Sequence, residues 1–191
     1  MAHLFAEAFY DDPLYQYMFP NATTRMEVLE LFFKGYLDIY GKYGDIVTTS
    51  EDLTAIAYIY YQERFDNKWL YYKDLFFAMF RLIDFLKFLK IKDINRMLKI
   101  VKNLSCSSWV EDMIEGDYIH LDLLAVQRDY RGLGKAKQLI EYVINEAQVK
   151  NLPLILETQN VDNTKIYKHF NFETVEEISY EHMVKYCMLH K

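Results

Sequence analysis

The segment Arg131-Gly132-Leu133-Gly134-Lys135-Ala136 constrains this chain most, because it separates two elements of different periodicity. Before it, Tyr118 to Val126 read Tyr-Ile-His-Leu-Asp-Leu-Leu-Ala-Val. That run is too continuously apolar for a half-exposed edge and suits a strand covered on both faces. After it, Ala136, Leu139, Ile140, Val143, Ile144 and Ala147 recur at helical spacing and form one apolar face of an amphipathic helix. A glycine-bearing turn that opens a helix aims several backbone N–H groups and the positive dipole end at one point. Strand, glycine turn and helix in this order therefore predict an anion site suited to a phosphate or pyrophosphate.

Two familiar phosphate turns fit poorly. A dinucleotide-binding turn wants three glycines near the start of a βαβ unit and an acidic residue about 20 residues later. Here two glycines stand late in the chain. A P-loop needs Ser or Thr after its Lys to reach magnesium, and Lys135 is followed by Ala136.

Arg131-x-x-Gly134-x-Ala136 resembles the pyrophosphate-binding motif, Arg/Gln-x-x-Gly-x-Gly/Ala, of the GNAT superfamily of acyl-CoA-dependent N-acetyltransferases. The preceding Leu124-Ala125-Val126 is similar to the strand that pairs with the pantetheine arm in that family. Downstream, Asn160, Asn163 and Tyr167-Lys168-His169-Phe170-Asn171-Phe172 resemble its second motif, an Asn followed by Tyr-x-x-x-Gly-Phe. The resemblance covers residues 44–61 and 118–191 well and the N-terminal third more loosely. It implies an α/β (α+β) fold of GNAT type across 1–191 as a single domain. The expected core is a central mixed, mostly antiparallel sheet flanked by helices, with a helical insertion at about 62–117.

Three departures stand out. Arg128 occupies a position where the family commonly has Pro, adding positive charge near the phosphates. Asn171 replaces the usual Gly before Phe172, and Asn tolerates the left-handed conformation best among non-glycine residues. Family members also usually open with a strand, whereas Ala2 to Phe9 already reads as helix.

The resemblance implies acetyl-CoA as co-substrate and a primary amine, on a small molecule or peptide, as acceptor. Backbone N–H groups of Arg131, Gly132, Leu133, Gly134, Lys135 and Ala136 would cradle the pyrophosphate, while Leu124, Ala125 and Val126 would bond the pantetheine amides. Tyr167 would lie near the CoA sulfur as general acid, and Asn163 would satisfy a CoA or backbone polar group or else cap its helix. His120 is the candidate base, since its titration range suits one, although a lone His in an apolar strand also serves as a satisfied core residue. Asp122, two residues on, and Glu157 are candidates for binding a cationic acceptor. No metal is expected. The rival function is a non-catalytic acyl-CoA-binding or interaction domain of the same fold.

Composition narrows this little. Lys+Arg number 22 and Asp+Glu 28, a net charge of −6, which disfavours nucleic acid because phosphates reward a basic face. Cys106 and Cys187 form no disulfide framework or metal spacing and fit a reducing cytoplasm. Glu7, Asp11 and Asp12 interrupt any leader-like apolar run, and no apolar stretch approaches a membrane span.

Elsewhere, Asp12-Pro13 should end the first helix, and Thr24-x-x-Glu27 reads as a capping box opening a helix to about Tyr40. Strands are expected at Ile46–Thr49, Thr54–Tyr61, Leu154–Leu156, 172–180 and 183–190, the last two joined tightly at Glu181-His182. In the insertion, Leu75, Met79, Leu82, Leu86 and Leu89 form one helical seam, widened by Phe76, Phe80 and Ile83. Asp93 would cap a second helix whose Ile94, Met97, Leu98, Val101 and Leu104 share a face. This pair is read as packing over the sheet's open side, where it could wall the acceptor pocket. A homodimer face and a membrane-surface element are the alternatives.

Overall fold

The computed structural model describes residues 1–49, 51–65, 69, 72–73, 76, 87–104 and 107–191. Its helices are α1 (Ala2–Phe9), α2 (Pro13–Met18), α3 (Ala22–Tyr40), α4 (Ile91–Leu104), α5 (Ser107–Met113), α6 (Lys135–Lys150) and α7 (Val161–His169). Its strands are β1 (Gly44–Thr48), β2 (Ala55–Tyr61), β3 (Ile119–Val126), β4 (Leu154–Thr158), β5 (Phe172–Tyr180) and β6 (Met183–His190). They form a six-stranded sheet in the order β1-β2-β3-β4-β6-β5. The β3–β4 pair is parallel and the other neighbours are antiparallel. The mixed, mostly antiparallel sheet flanked by helices is the architecture the resemblance implies.

The sheet is covered on both faces. On one, Ile56 and Tyr58 of β2 and Leu123 and Ala125 of β3 pack against Phe5, Met18, Leu29 and Phe33 from α1, α2 and α3. On the other, Ala57, Ile59, Ile119, Leu121, Leu154 and Leu156 meet Leu139, Ile140, Val143 and Ala147 of α6. Alternation along β2 sends Ile56 and Tyr58 one way and Ala57 and Ile59 the other, the period of two that a doubly covered strand needs.

Phe33 is wholly buried, with the rings of Phe5, Phe9, Tyr15 and Phe32 at 5.3–5.5 Å. Phe33→Ala should therefore cost about 3–5 kcal/mol of stability, read as a lower urea midpoint with the slope of the transition unchanged.

Helix entry differs from expectation in two places. α3 is capped by the Asn21 side chain, which accepts from the Thr23 N–H, instead of by a Thr24/Glu27 box. An Asn at N-cap is as good an acceptor as Thr and starts the helix earlier. In α4, Asp93 lies inside the first turn and accepts from the Lys90 N–H at 2.8 Å. It thus supplies the return arm of a capping box and is not the cap itself.

The apolar face of α4 is also rotated from the expected one. Ile100 is buried and Met97 packs on the core, whereas Leu98 is 62% exposed. Leu75, Met79, Phe80, Leu82, Ile83, Leu86 and Cys106 lie outside the described residues.

At the chain's N-terminal end, Asp12 caps α2 by accepting from the Leu14 N–H at 2.9 Å, and Pro13 takes the first helical position, where no N–H is needed. The connection on either side of α2 is clamped by buried Arg25. Its guanidinium donates to the carbonyls of Phe19 at 2.7 Å, Pro20 at 3.2 Å and Tyr10 at 3.4 Å.

Candidate active site

Two irregularities in β3 build the site. Its parallel pairing with β4 covers Ile119–Leu121 against Leu154–Leu156, although both strands continue beyond that point. The β4-facing edge of Asp122–Val126 is thus left outside that ladder, and its backbone groups need partners. At the same place the register with β2 slips, because Tyr58 pairs with Leu123 and Ile59 with Leu121. Asp122 is the extra residue, a β-bulge that re-aims side chains where the two strands part.

β3 then runs into the glycine turn. Gly132 and Gly134 adopt φ of 78° and 76°, a region in which a Cβ is penalised. Gly134 is the N-cap of α6, whose first turn holds no acidic residue. The first-turn N–H groups of α6 cannot be satisfied within the helix. Arg131 is tied back by its Nε, which donates to the Val126 carbonyl at 3.2 Å.

The turn expected from sequence to cradle an anion lies along a groove of about 580 Å³. Leu124, Val126, Arg131, Gly132, Gly134, Lys135, Ala136 and Asn163 line it, together with Phe9, Asp11 and Asp12.

A second, smaller cavity of about 150 Å³ continues from this groove. His120, Asp122, Glu157, Asn163 and Tyr167 line it with Phe9, Asp12, Tyr15 and Tyr36. Phe9, Asp12, Leu124 and Asn163 border both spaces. The candidate catalytic and acceptor-binding residues thus meet around one cavity, and the residues of the glycine turn line the groove that leads to it, except Leu133, which is exposed and outside that lining. Ala125 is buried, packs on the opposite face and is absent from the lining of both spaces.

Each polar group has a defined setting. Asp122 accepts from the Tyr36 hydroxyl at 2.5 Å, and burial raises its pKa above the ordinary carboxylate range, partly offset by His120 and by the Tyr36 bond. His120 is buried, with Nδ1 2.6 Å from the Tyr60 hydroxyl. Glu157 is engaged from below, since Trp109 Nε1 donates to its Oε1 at 2.5 Å and wholly buried Lys185 donates to the same atom at 2.8 Å. That pairing uses much of the negative charge Glu157 would offer a cation.

Burial holds the Tyr167 phenol protonated, with its pKa pushed up to about 12. Asn163 donates to Thr158 Oγ1 at 3.4 Å, while Asn160 takes the N-cap of α7 by accepting from the Asp162 N–H. The capping alternative for Asn163 therefore falls to Asn160. Asn171 has φ of 62° and ends the α7 segment in the left-handed region, doing what the family's Gly does.

Asp12 was not among the residues singled out from sequence. It borders both spaces, and burial raises its pKa from 3.8 to about 6, against the lowering effect of the Leu14 and Tyr15 backbone N–H groups. In the sequence, Asp12-Pro13 read as a helix stop. Its second meaning emerges only when α1 and α2 cross the end of β3. Among the described residues, no group of three or more His, Cys, Asp or Glu is placed to hold a metal ion. No helix among them is long and apolar enough to cross a membrane.

Comparison with known proteins supports the fold. Residues 96–190 match the family model described as the acetyltransferase (GNAT) domain. No curated protein sequence matches the chain. Among solved structures, the fold is similar to a histone acetyltransferase HPA2 and related acetyltransferase from Corynebacterium glutamicum. That pair shares 15% identity, 98% of this chain and 87% of the other, at a TM-score of 0.65.

The fold is also similar to arylalkylamine N-acetyltransferase 2 from Aedes aegypti, with 14% identity over 98% and 90% of the two chains and a TM-score of 0.59. Arabidopsis thaliana NAA60, solved in complex with acetyl-CoA, overlaps less: 23% identity, 44% of this chain and 57% of that one, TM-score 0.38. The protein carries a GNAT acetyltransferase domain, which indicates acetyl transfer in general terms.

Proposed function

We propose that this protein moves the acetyl group of acetyl-CoA directly to the primary amine of a small molecule, in the cytoplasm. The observation that carries the reading is that Phe9, Asp12, Leu124 and Asn163 border both the groove and the inner cavity. An anion cradle and a carboxylate-lined cavity are thereby joined in one path. The cradle of residues 131–136 holds the pyrophosphate, and the free edge of β3 pairs with the pantetheine amides, bringing the thioester to the junction. A backbone N–H of that edge stabilises the oxyanion of the tetrahedral intermediate. The inner cavity, walled by Phe9, Tyr15 and Tyr36, suits an amine with a compact apolar body.

Amine transfer requires a neutral nucleophile. Asp12 is preferred as the base because it borders both spaces, whereas His120 lines the inner cavity alone. The Asp12 carboxylate takes a proton from the bound ammonium, and the amine nitrogen attacks the thioester carbonyl. The C–S bond breaks as the tetrahedral intermediate collapses, the Tyr167 hydroxyl protonates the departing thiolate, and the second proton that the nitrogen sheds as it becomes the amide returns to the Tyr167 oxygen. His120 and Asp122 line the far wall, where Asp122 offers the ammonium a hydrogen-bond acceptor.

Tyr167→Phe should lower kcat about 10- to 100-fold with little change in the KM for acetyl-CoA, less than a general acid usually supplies because a thiolate leaves readily. Steady-state thiol release across an amine panel measures this. Acetyl-CoA binding without turnover, indifferent to Tyr167→Phe, would favour the non-catalytic acyl-CoA-binding reading.

A further inference from the structure

Charge is unevenly distributed along the chain. Residues 87–104 hold six Lys and Arg against one Asp, a net +5 within a protein of −6, leaving −11 for the remainder. On α4, Lys92, Asn95, Lys99 and Lys102 recur at helical spacing, and all are exposed, on the side away from buried Ile100. Leu98, 62% exposed, borders these lysines. Exposed Lys87, Phe88 and Lys90 lead into the same helix. Arg96 is used elsewhere: it donates to the Tyr17 carbonyl at 3.1 Å and pairs with Asp93. The same insertion also exposes Trp69 (73%), Tyr72 (64%) and Phe76 (57%), with the Lys73 ammonium 5.6 Å above the Trp69 ring.

We propose that the lysine face of α4, with Leu98 and Phe88 beside it, docks the protein peripherally on an anionic phospholipid surface. The combination decides the partner. Lysines whose apolar stems lie along the interface meet lipid phosphates, while neighbouring Leu and Phe side chains enter the headgroup boundary. Negative leaflet potential attracts such a segment even when the rest of the protein is acidic, because the attraction decays within a Debye length. A two-fold pairing of this face with a second copy would oppose lysine to lysine. Nucleic acid would meet the lysines but leaves Leu98 and Phe88 without a role. The proposal is independent of the acetyl-transfer reading.

Vesicle flotation tests it. The intact protein is mixed with phosphatidylcholine vesicles, with or without phosphatidylserine, at low and high salt. It should float with the phosphatidylserine vesicles at low salt, and salt should release it. Combining Lys92→Gln, Lys99→Gln and Lys102→Gln should weaken this binding about fivefold per lysine, roughly a hundredfold together. The circular dichroism spectrum should be unchanged, since all three side chains are exposed. Leu98→Ser should weaken the binding that persists as salt rises.

Equal binding to both vesicle types would overturn the proposal, as would a triple variant that floats like the parent. So would tighter capture by duplex DNA than by phosphatidylserine vesicles at the same salt. Self-association abolished by the triple substitution would also overturn it, since the face would then be an interface between copies.

Discussion

Acetyl-CoA binding should fall at least about a hundredfold in Gly134→Glu. Gly134 sits at φ 76° as the N-cap of α6, and a Cβ placed on it meets nothing within 4 Å. Steric clash therefore plays no part. Left-handed strain costs roughly 1–2 kcal/mol for a non-glycine residue. The larger effect is a carboxylate in the mouth of an anion cradle. Like charges about 4 Å apart repel by roughly 4 kcal/mol at an effective dielectric constant near 20. Gly134→Ala separates the contributions, because it keeps the strain without the charge and should lose only about tenfold. Isothermal titration with acetyl-CoA reads both. Unchanged affinity in the Glu variant would remove the cradle from residues 131–136.

Asp12→Asn should lower kcat by about 10²- to 10⁴-fold, the range for a positioned general base. It should leave acetyl-CoA affinity nearly intact. The parent's kcat/KM should fall as pH drops through the Asp12 pKa of about 6, because only the carboxylate accepts a proton. This acid limb should vanish in the Asn variant. Asp11, Arg131 and Lys135 around the groove, and Tyr15, His120, Asp122 and Glu157 around the cavity, set the field at Asp12 and should move the midpoint when substituted. If the limb instead follows His120→Gln, the base is the one the sequence suggests.

Stability should move the opposite way from activity. The folded-state pKa of Asp12 lies above its unfolded value of 3.8, so folding favours the protonated form. The penalty is absent below the unfolded pKa, grows as pH rises, and is complete once pH passes about 6. Asn cannot ionise and still caps α2, so at neutral pH the variant should be about 1–3 kcal/mol more stable by urea unfolding. A simultaneous loss of rate and gain of stability distinguishes a strained functional carboxylate from a structural cap, whose removal would cost stability.

The strand, glycine turn and helix were legible because everything they need is local. Two glycines, an apolar strand and one helical face lie in consecutive residues, and the left-handed role of Asn171 follows from its own backbone preference. Helix caps were less legible, since Asn21 and Thr24 both begin plausible helices and packing of Val28, Leu29 and Phe33 sets the helix in place. The bulge at Asp122 was invisible because it depends on register between β2 and β3, which one strand's pattern does not encode. Its consequence, Tyr36 bonded to Asp122, is a contact between elements far apart in the chain. Glu157 illustrates the same limit: in sequence it is a carboxylate at a strand end, while in space buried Lys185 and Trp109 hold one oxygen. Asp12 joins the site only after Arg25 fixes the α1–α2–α3 connection around it.

The most direct test of amine acetylation is product detection. Protein, acetyl-CoA and a panel of small primary amines are incubated together, with thiol release followed alongside the mass of the amine. The expected result is saturable release that requires both protein and amine, an acetylated amine in equal amount, and loss of both signals in Asp12→Asn. Saturable acetyl-CoA binding with no amine-dependent release, and no acetylated product from any amine in the panel, would contradict it.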